Sequence, residues 1–316
     1  MQQKKPRLSP ARRALVLSLS TVIFALAGYV VIAQWPNVAH GWHVLRATNP
    51  LYGVLAFACV AVAVSGSALL CQSLAVRPVK LIELLHVAWA GMFVNRLLPA
   101  GVGGMGLYVD YLVRRKHAIA EASGVVALSS FITMLGHVAL IVLFVLLGMS
   151  SVSPSLQLPS WLPWTLAAVG LALLVMLAMQ RRRVLRRLRR IKDELLKPLG
   201  RLLKRPQVYV RAQSAALLIT CGNAAALTLA MYVSGVELGF TDAIIILAGG
   251  VAAGALTPTP GGLVGTEAGL AAAMTLYGAA PVDALSAVLL YRLASFWVPL
   301  LAGILALVLS RRKGYI

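Results

Sequence analysis

Residues 243–278 read AIIILAGGVAAGALTPTPGGLVGTEAGLAAAMTLYG, an apolar segment split in its middle by Thr257-Pro258-Thr259-Pro260-Gly261-Gly262. A single helix does not run through that hexad, because each proline lacks an amide and crowds the preceding turn, while paired glycines favour a tight reversal. The segment therefore reads as two half-helices around a break. A second segment has the same form: residues 79–113, apolar at both ends, are interrupted from Asn95 through Arg96 and Pro99 to Gly103-Gly104. The two Gly-Gly pairs lie 158 residues apart.

Six uninterrupted apolar runs of about twenty residues or more surround these breaks, each long enough to cross a bilayer as a helix. They are roughly Ala14–Gln34, Leu51–Gln72, Ile119–Gly148, Trp161–Met179, Val208–Gly235 and Ala284–Leu309. The composition agrees: of 316 residues 60% are hydrophobic and 12% charged, and the mean hydropathy is +0.86. This excludes an ordinary water-soluble enzyme. The longest polar stretch, Arg181 to Gln207, is 27 residues, too short to bury a core of its own. The first run exceeds the core of a cleaved signal peptide and is expected to be retained.

The net charge of +20 would suggest nucleic acid in a soluble protein, but its distribution explains it differently. Of 29 Lys and Arg, 25 fall in five places: before the first run, at Arg77 and Lys80, at Arg114–Lys116, between Arg181 and Arg205, and at Arg311–Lys313. One topology puts all five on the cytoplasmic side, as the retention of basic loops requires, so no nucleic-acid partner is expected. The first broken segment is flanked by basic residues at both ends and the second only by acids, Glu237, Asp242 and Asp283. Two re-entrant hairpins, one from each face, satisfy this pattern with both termini cytoplasmic.

The predicted fold is an all-α polytopic membrane protein with an inverted repeat of span, re-entrant helical hairpin, span, together with additional spans. Its parts are a basic tail (1–13), one transmembrane domain (14–310) and a short tail (311–316). Repeat one covers about 51–148 and repeat two about 208–309. Between them, residues 181–207 form a basic amphipathic segment, with Val184, Leu188, Ile191, Leu195, Leu199 and Leu202 at helical spacing. It reads as an interfacial helix attracted to anionic lipid, or as a topology anchor alone. Inverted repeats with paired broken helices are transporter architecture, and the breaks mark the expected substrate site.

Charges inside apolar runs each cost roughly 2.5–3.5 kcal/mol at a helix centre and so face a partner or a pathway. Arg292 in the last run is expected to pair with Glu267 at the restart of the second broken segment. Arg96, beside Asn95, is its counterpart in the other half, and Asp110 follows the first break. The expected binding residues for an anionic headgroup are Arg96, Asn95, Arg292, Glu267, Thr257, Gly261, Gly262 and Tyr291, with Glu267 and Asp110 as the candidates for carrying a proton. A half-helix starting near Val264 or Thr266 presents free amides and a positive dipole end that favour an anion. Equally, Thr266 caps the helix and Glu267 satisfies the dipole without any ligand, and the ion pairs are purely structural. His86, His137 and Asn223 read as interhelical hydrogen bonders. Cys59, Cys71 and Cys221 form neither a disulfide framework nor a metal set, and no metal or cofactor is expected.

The run Thr257-Pro258-Thr259-Pro260-Gly261-Gly262-Leu263-Val264-Gly265-Thr266-Glu267, followed by Leu290-Tyr291-Arg292-Leu293, Trp297 and Pro299, resembles the C-terminal signature of the lysylphosphatidylglycerol synthase/flippase membrane-domain family. The likeness spans about Leu51 to Leu309 and is strongest over the last sixty residues. In the first half Leu98-Pro99-Ala100-Gly101 and Tyr111-Leu112-Val113-Arg114-Arg115 fit the family pattern. Gly106 and Val109 stand where it has Glu and Arg, and Phe131–Leu135 lacks its later charged pair. The resemblance implies a bilayer-embedded domain of a prokaryotic cytoplasmic membrane that moves aminoacylated phosphatidylglycerol between leaflets. The sequence ends at Ile316, without the aminoacyl-transferase domain of the best-known members, so lipid synthesis is not expected of it.

The leading expectation is a lipid-handling transporter, a flippase of an anionic or aminoacylated phospholipid. The absence of a Gly-x-x-x-x-Gly-Lys-Ser/Thr run makes transport downhill or ion-coupled. Two readings from other classes stand beside it: a membrane-embedded glycosyl or headgroup transferase, and a non-transporting partner of a separately encoded lipid-modifying enzyme. Membrane lipids are the expected partners, with a homo-oligomer as a further possibility.

Overall fold

The structure, a computed structural model, describes residues 49–97, 102–147, 196–257 and 259–316. The expected spans Ala14–Gln34 and Trp161–Met179, the basic tail 1–13, the loop 150–160, and residues 181–195 of the amphipathic segment lie outside them.

Helix α1 (Leu51–Leu74) carries no charge along its 24 residues, and Asn49 Oδ1 accepts the amide of Leu51 at its start. Helices α2 (Leu81–Leu97) and α3 (Val102–Arg114) are the arms of the first broken segment, and α4 (Ile119–Leu146) follows. Residues 196–204 are helical, and Pro206, at a position where a missing amide costs nothing, opens α5 (Pro206–Val233). Helices α6 (Phe240–Leu256) and α7 (Gly265–Leu276) are the arms of the second broken segment, separated by a short turn at Pro260–Gly262. The last span is α8 (Pro281–Arg292), a π-turn (Leu293–Trp297) and α9 (Val298–Arg312).

Among the described residues, four stretches are long and apolar enough to cross a membrane: Leu51–Leu74, Ile119–Leu146, Pro206–Val233 and Pro281–Arg312. They correspond to four of the six expected spans. The arms of the broken segments are shorter, at 17 and 13 residues in the first and 17 and 12 in the second. At about 1.5 Å per residue none reaches the roughly 30 Å of a hydrocarbon core. The described residues thus contain the same order twice: long helix, two short antiparallel arms, long helix.

The two leading helices, α1 and α5, form the most extensive contact, and α2 packs on α9 across the halves. Small residues allow the approach. A Cβ on Gly66 would lie 2.8 Å from the Ala215 carbonyl oxygen, and one on Gly222 would lie 2.7 Å from that of Cys59. Close backbone packing of this kind substitutes for the hydrophobic drive that lipid does not supply.

The last span departs from the expected continuous helix. Pro299 has no amide for the carbonyl four residues before it, that of Ser295, and the ladder widens into a π-turn at that point.

Candidate functional site: the meeting of the two breaks

The Pro260–Gly262 turn packs against α2, bringing the second break onto the end of the first hairpin's leading arm. Gly261 adopts φ 64°, and a Cβ there would come within 2.9 Å of the Phe296 ring and 3.2 Å of Arg96 Cδ. Only glycine fits, on backbone and on space. Arg96 at the end of α2 donates from Nη2 to the Ser295 carbonyl oxygen at 2.8 Å. That carbonyl is the one Pro299 releases.

Phe296 holds two cations. The Arg96 guanidinium lies 4.4 Å from its ring centroid and that of Arg292 lies 5.4 Å away. The electron-rich ring face attracts both. Arg292, 7% exposed, donates from Nε to Glu267 Oε1 at 2.7 Å and from Nη2 towards the Gly262 carbonyl at 3.5 Å. Glu267 sits in the first turn of α7, where its charge also suits the helix dipole. The acid therefore serves the dipole and Arg292 together.

Charge is left over. The group holds two guanidiniums and one carboxylate, and among the described residues Arg96 has no ion pair. Its Nε and the second oxygen of Glu267 are buried without a hydrogen-bond partner. A donor and an acceptor are thus both unused, beside a net positive charge, at the contact of the two breaks.

The other expected residues lie nearby with different duties. Asn95 accepts the Gly104 amide on its Oδ1, clipping α2 to the third residue of α3. Thr257 donates its hydroxyl to the carbonyls of Ala253 and Gly254 at the end of α6. Buried Tyr291 donates to Asn223 Oδ1 at 3.4 Å, linking the last span to α5. Asp110 is half exposed and pairs with Arg114 one turn on at 2.9 Å, outside the Arg96–Arg292 group. His86 bonds the Ile82 carbonyl within α2.

Sequence reasoning missed Phe296 and the Ser295 carbonyl, and it named Gly262 without foreseeing that its carbonyl faces Arg292. The available signal was Pro299, which frees a carbonyl at a fixed offset. It also missed the cluster at the base of the first hairpin. There buried Glu83 accepts from the Tyr111 hydroxyl at 2.9 Å and pairs with Arg115 at 2.6 Å.

Residues 15–303 match the family model described as the lysylphosphatidylglycerol synthase TM region. No curated protein matches the chain.

Proposed function

The chain belongs to the lysylphosphatidylglycerol synthase transmembrane-region family, and from that premise we propose that this multi-pass membrane protein is a lipid-handling transporter that moves an anionic or aminoacylated phospholipid between leaflets. The observation that carries the reading is the uncompensated cation. Arg96, Arg292 and Glu267 stand together where the two Pro/Gly breaks touch, with one positive charge unmatched. A phosphodiester supplies the missing anion, and an amine on the headgroup suits the unused oxygen of Glu267. Glu267 is the proton carrier of this reading if transport is ion-coupled.

The topology belongs to the same proposal. The two hairpins re-enter from opposite faces of a prokaryotic cytoplasmic membrane, both termini are cytoplasmic, and repeats of about 51–148 and 208–309 lie inverted within one transmembrane domain (14–310). In support, the basic Arg77, Lys80 and Arg114–Lys116 bracket the first hairpin and the acids bracket the second.

The test is translocation of fluorescent phosphatidylglycerol in proteoliposomes, read by chemical quenching of the outer leaflet. Arg96→Gln shortens the side chain and gives up the bond to the Ser295 carbonyl but strands no carboxylate, so the protein is expected to fold and to translocate about tenfold or more slowly, the loss of roughly one strong charge contact. Arg292→Ala and Glu267→Ala abolish translocation and also lower stability, since each leaves the other's charge buried alone. Wild-type rates in a well-folded Arg96→Gln protein would remove the site.

A further inference from the structure

Where α3 ends, the chain turns back on itself before α4 begins. Lys116 adopts φ 68°, and the His117 amide returns to the Leu112 carbonyl at 3.1 Å, the bond that closes a helix end of this kind. The turn carries the His117 side chain inwards, where it is fully buried. Its Nδ1 lies 3.1 Å from the same Leu112 carbonyl, and its Nε2 lies 3.2 Å from the amide of Arg77, in the connector between α1 and α2. The ring thus fastens the entry of the first hairpin to its exit.

These two contacts fix where the ring's proton sits. A backbone amide only donates, so Nε2 presents its lone pair to Arg77, and a carbonyl only accepts, so Nδ1 carries the proton. The imidazole is therefore neutral. One turn on, the Glu121 side chain is 2% exposed, and its Oε1 is buried without a hydrogen-bond partner, 3.9 Å from His117 Nε2. An acid in the first turn of α4 suits the helix dipole, yet that oxygen still lacks a donor. A lone pair and an unsatisfied acceptor stand side by side with no proton between them.

We propose that His117 and Glu121 form a binding site for one proton, and that loading it releases the α1–α2 connector. A proton taken from water onto Nε2 turns that atom from acceptor to donor. The Arg77 amide then meets an N–H and lets go, while Glu121 Oε1 closes on Nε2 and receives the donor it lacks. The pair is needed for this exchange, because the imidazolium alone would be a buried charge without a partner. Water reaches the turn, since Arg77, Lys116 and Ala118 are exposed.

No other acid competes for the ring. Asp110 is held by Arg114, Glu83 of α2 by Tyr111 and Arg115, and Asp242 of α6 accepts the Gly239 amide. Apart from Arg114, Arg211 and that aspartate pair, the ionisable groups on the helices packed against α4 are the thiols of Cys59, Cys71 and Cys221 and the phenols of Tyr52, Tyr108, Tyr111, Tyr209 and Tyr232. Arg77, Lys80, Arg114, Lys116 and Arg211 are exposed cations. They oppose a further positive charge, so the imidazolium depends on Glu121. The connector leads into α2, whose far end carries Arg96. Protonation at the basic end of the molecule is thereby tied to the arm that reaches the second break. The site lies apart from Glu267 and goes beyond the transport reading without resting on it.

The full-length protein with nitrogen-15 histidine is studied in phosphatidylcholine nanodiscs at about pH 7.5 and about pH 5, either side of the range in which histidines usually titrate. The His117 signals, identified by their loss in His117→Gln, are expected to show Nδ1 alone protonated at the higher pH and both nitrogens at the lower. A proton on Nε2 at the higher pH, or a neutral ring at the lower, overturns the proposal. Hydrogen exchange of the Arg77 amide, corrected for the intrinsic effect of pH, reads the release. Its protection is expected to fall about tenfold or more on acidification, the scale of one lost hydrogen bond. Gln at 117 puts a carbonyl oxygen where Nε2 stood, so His117→Gln keeps the Arg77 bond and loses the pH response. Glu121→Gln denies the imidazolium its countercharge, and there too the fall is expected to vanish. No fall in the wild type, or an equal fall in either folded variant, overturns the proposal. Should neither variant fold, the wild-type spectra and exchange decide it alone.

Discussion

The first hairpin is closed by polar side chains and the second by the lack of side chains. In the first, Glu83 at the start of α2 holds Tyr111 and Arg115 at the end of α3, and Asn95 at the other end of α2 holds the Gly104 amide. In the second, α6 and α7 touch through glycine, with Gly250 against Leu270, Gly254 against Thr266 and Gly269 against Ala253. The difference decides which hairpin's acid is free to act. Glu83 and Asn95 are spent on their own hairpin, whereas Glu267 closes nothing within its hairpin and reaches Arg292 on another element. A glycine-packed hairpin leaves its acid available for chemistry between elements.

Removing the polar clip should have the largest effect on folding. Glu83→Ala leaves the fully buried Tyr111 hydroxyl without its acceptor, while Arg115, over a third exposed, turns to solvent, and we expect a loss of about 2–3 kcal/mol, measured by reversible unfolding in detergent or bicelles. A loss below about 0.5 kcal/mol, the scale of a surface pair, would mean that the first hairpin, too, is held by packing alone.

The second hairpin should break by addition. A Cβ on Gly269 would lie 2.5 Å from that of Ala253 and 3.0 Å from the Gly249 carbonyl oxygen. Gly269→Val therefore prises α7 from α6 at a cost of about 2 kcal/mol, the scale of core overpacking. Because Glu267 lies two residues earlier, the Arg292 pair is expected to lengthen and translocation to fall with stability. A tolerated valine would show that the arms are not in the close contact described.

The two hairpins were not equally legible in the sequence. Pro258, Pro260 and the glycine pairs announce both breaks, and the cost of charge in lipid makes Arg292 and Glu267 a pair before any coordinates. Asp110 and Arg114 carry the spacing of a helical ion pair, so that partnership was readable as well. The roles of Asn95 and Thr257 were not, because an amide or hydroxyl beside a break looks the same whether it meets a ligand or a backbone group. Phe296 as the platform for two cations was hidden for a different reason. Its placement depends on the π-turn, a widening of the ladder that no side chain signals except Pro299, two residues past the turn.

The smallest expected effect bears on the first hairpin's own glycines. Gly106, within α3, would have nothing within 4 Å of an added Cβ. Gly106→Ala should then stabilise the protein by about 0.5–1 kcal/mol, by restricting the unfolded chain and improving helix propensity. In the proposed reading this hairpin meets the headgroup through Arg96 at the far end of α2, not through the space at Gly106, so translocation should stay at the wild-type rate. If stability rises while translocation falls, the open space at Gly106 serves transport. The first hairpin would then contribute a second contact, beside Arg96, for the moving headgroup, and the contrast between a clipped hairpin and an acting one would no longer separate the two halves.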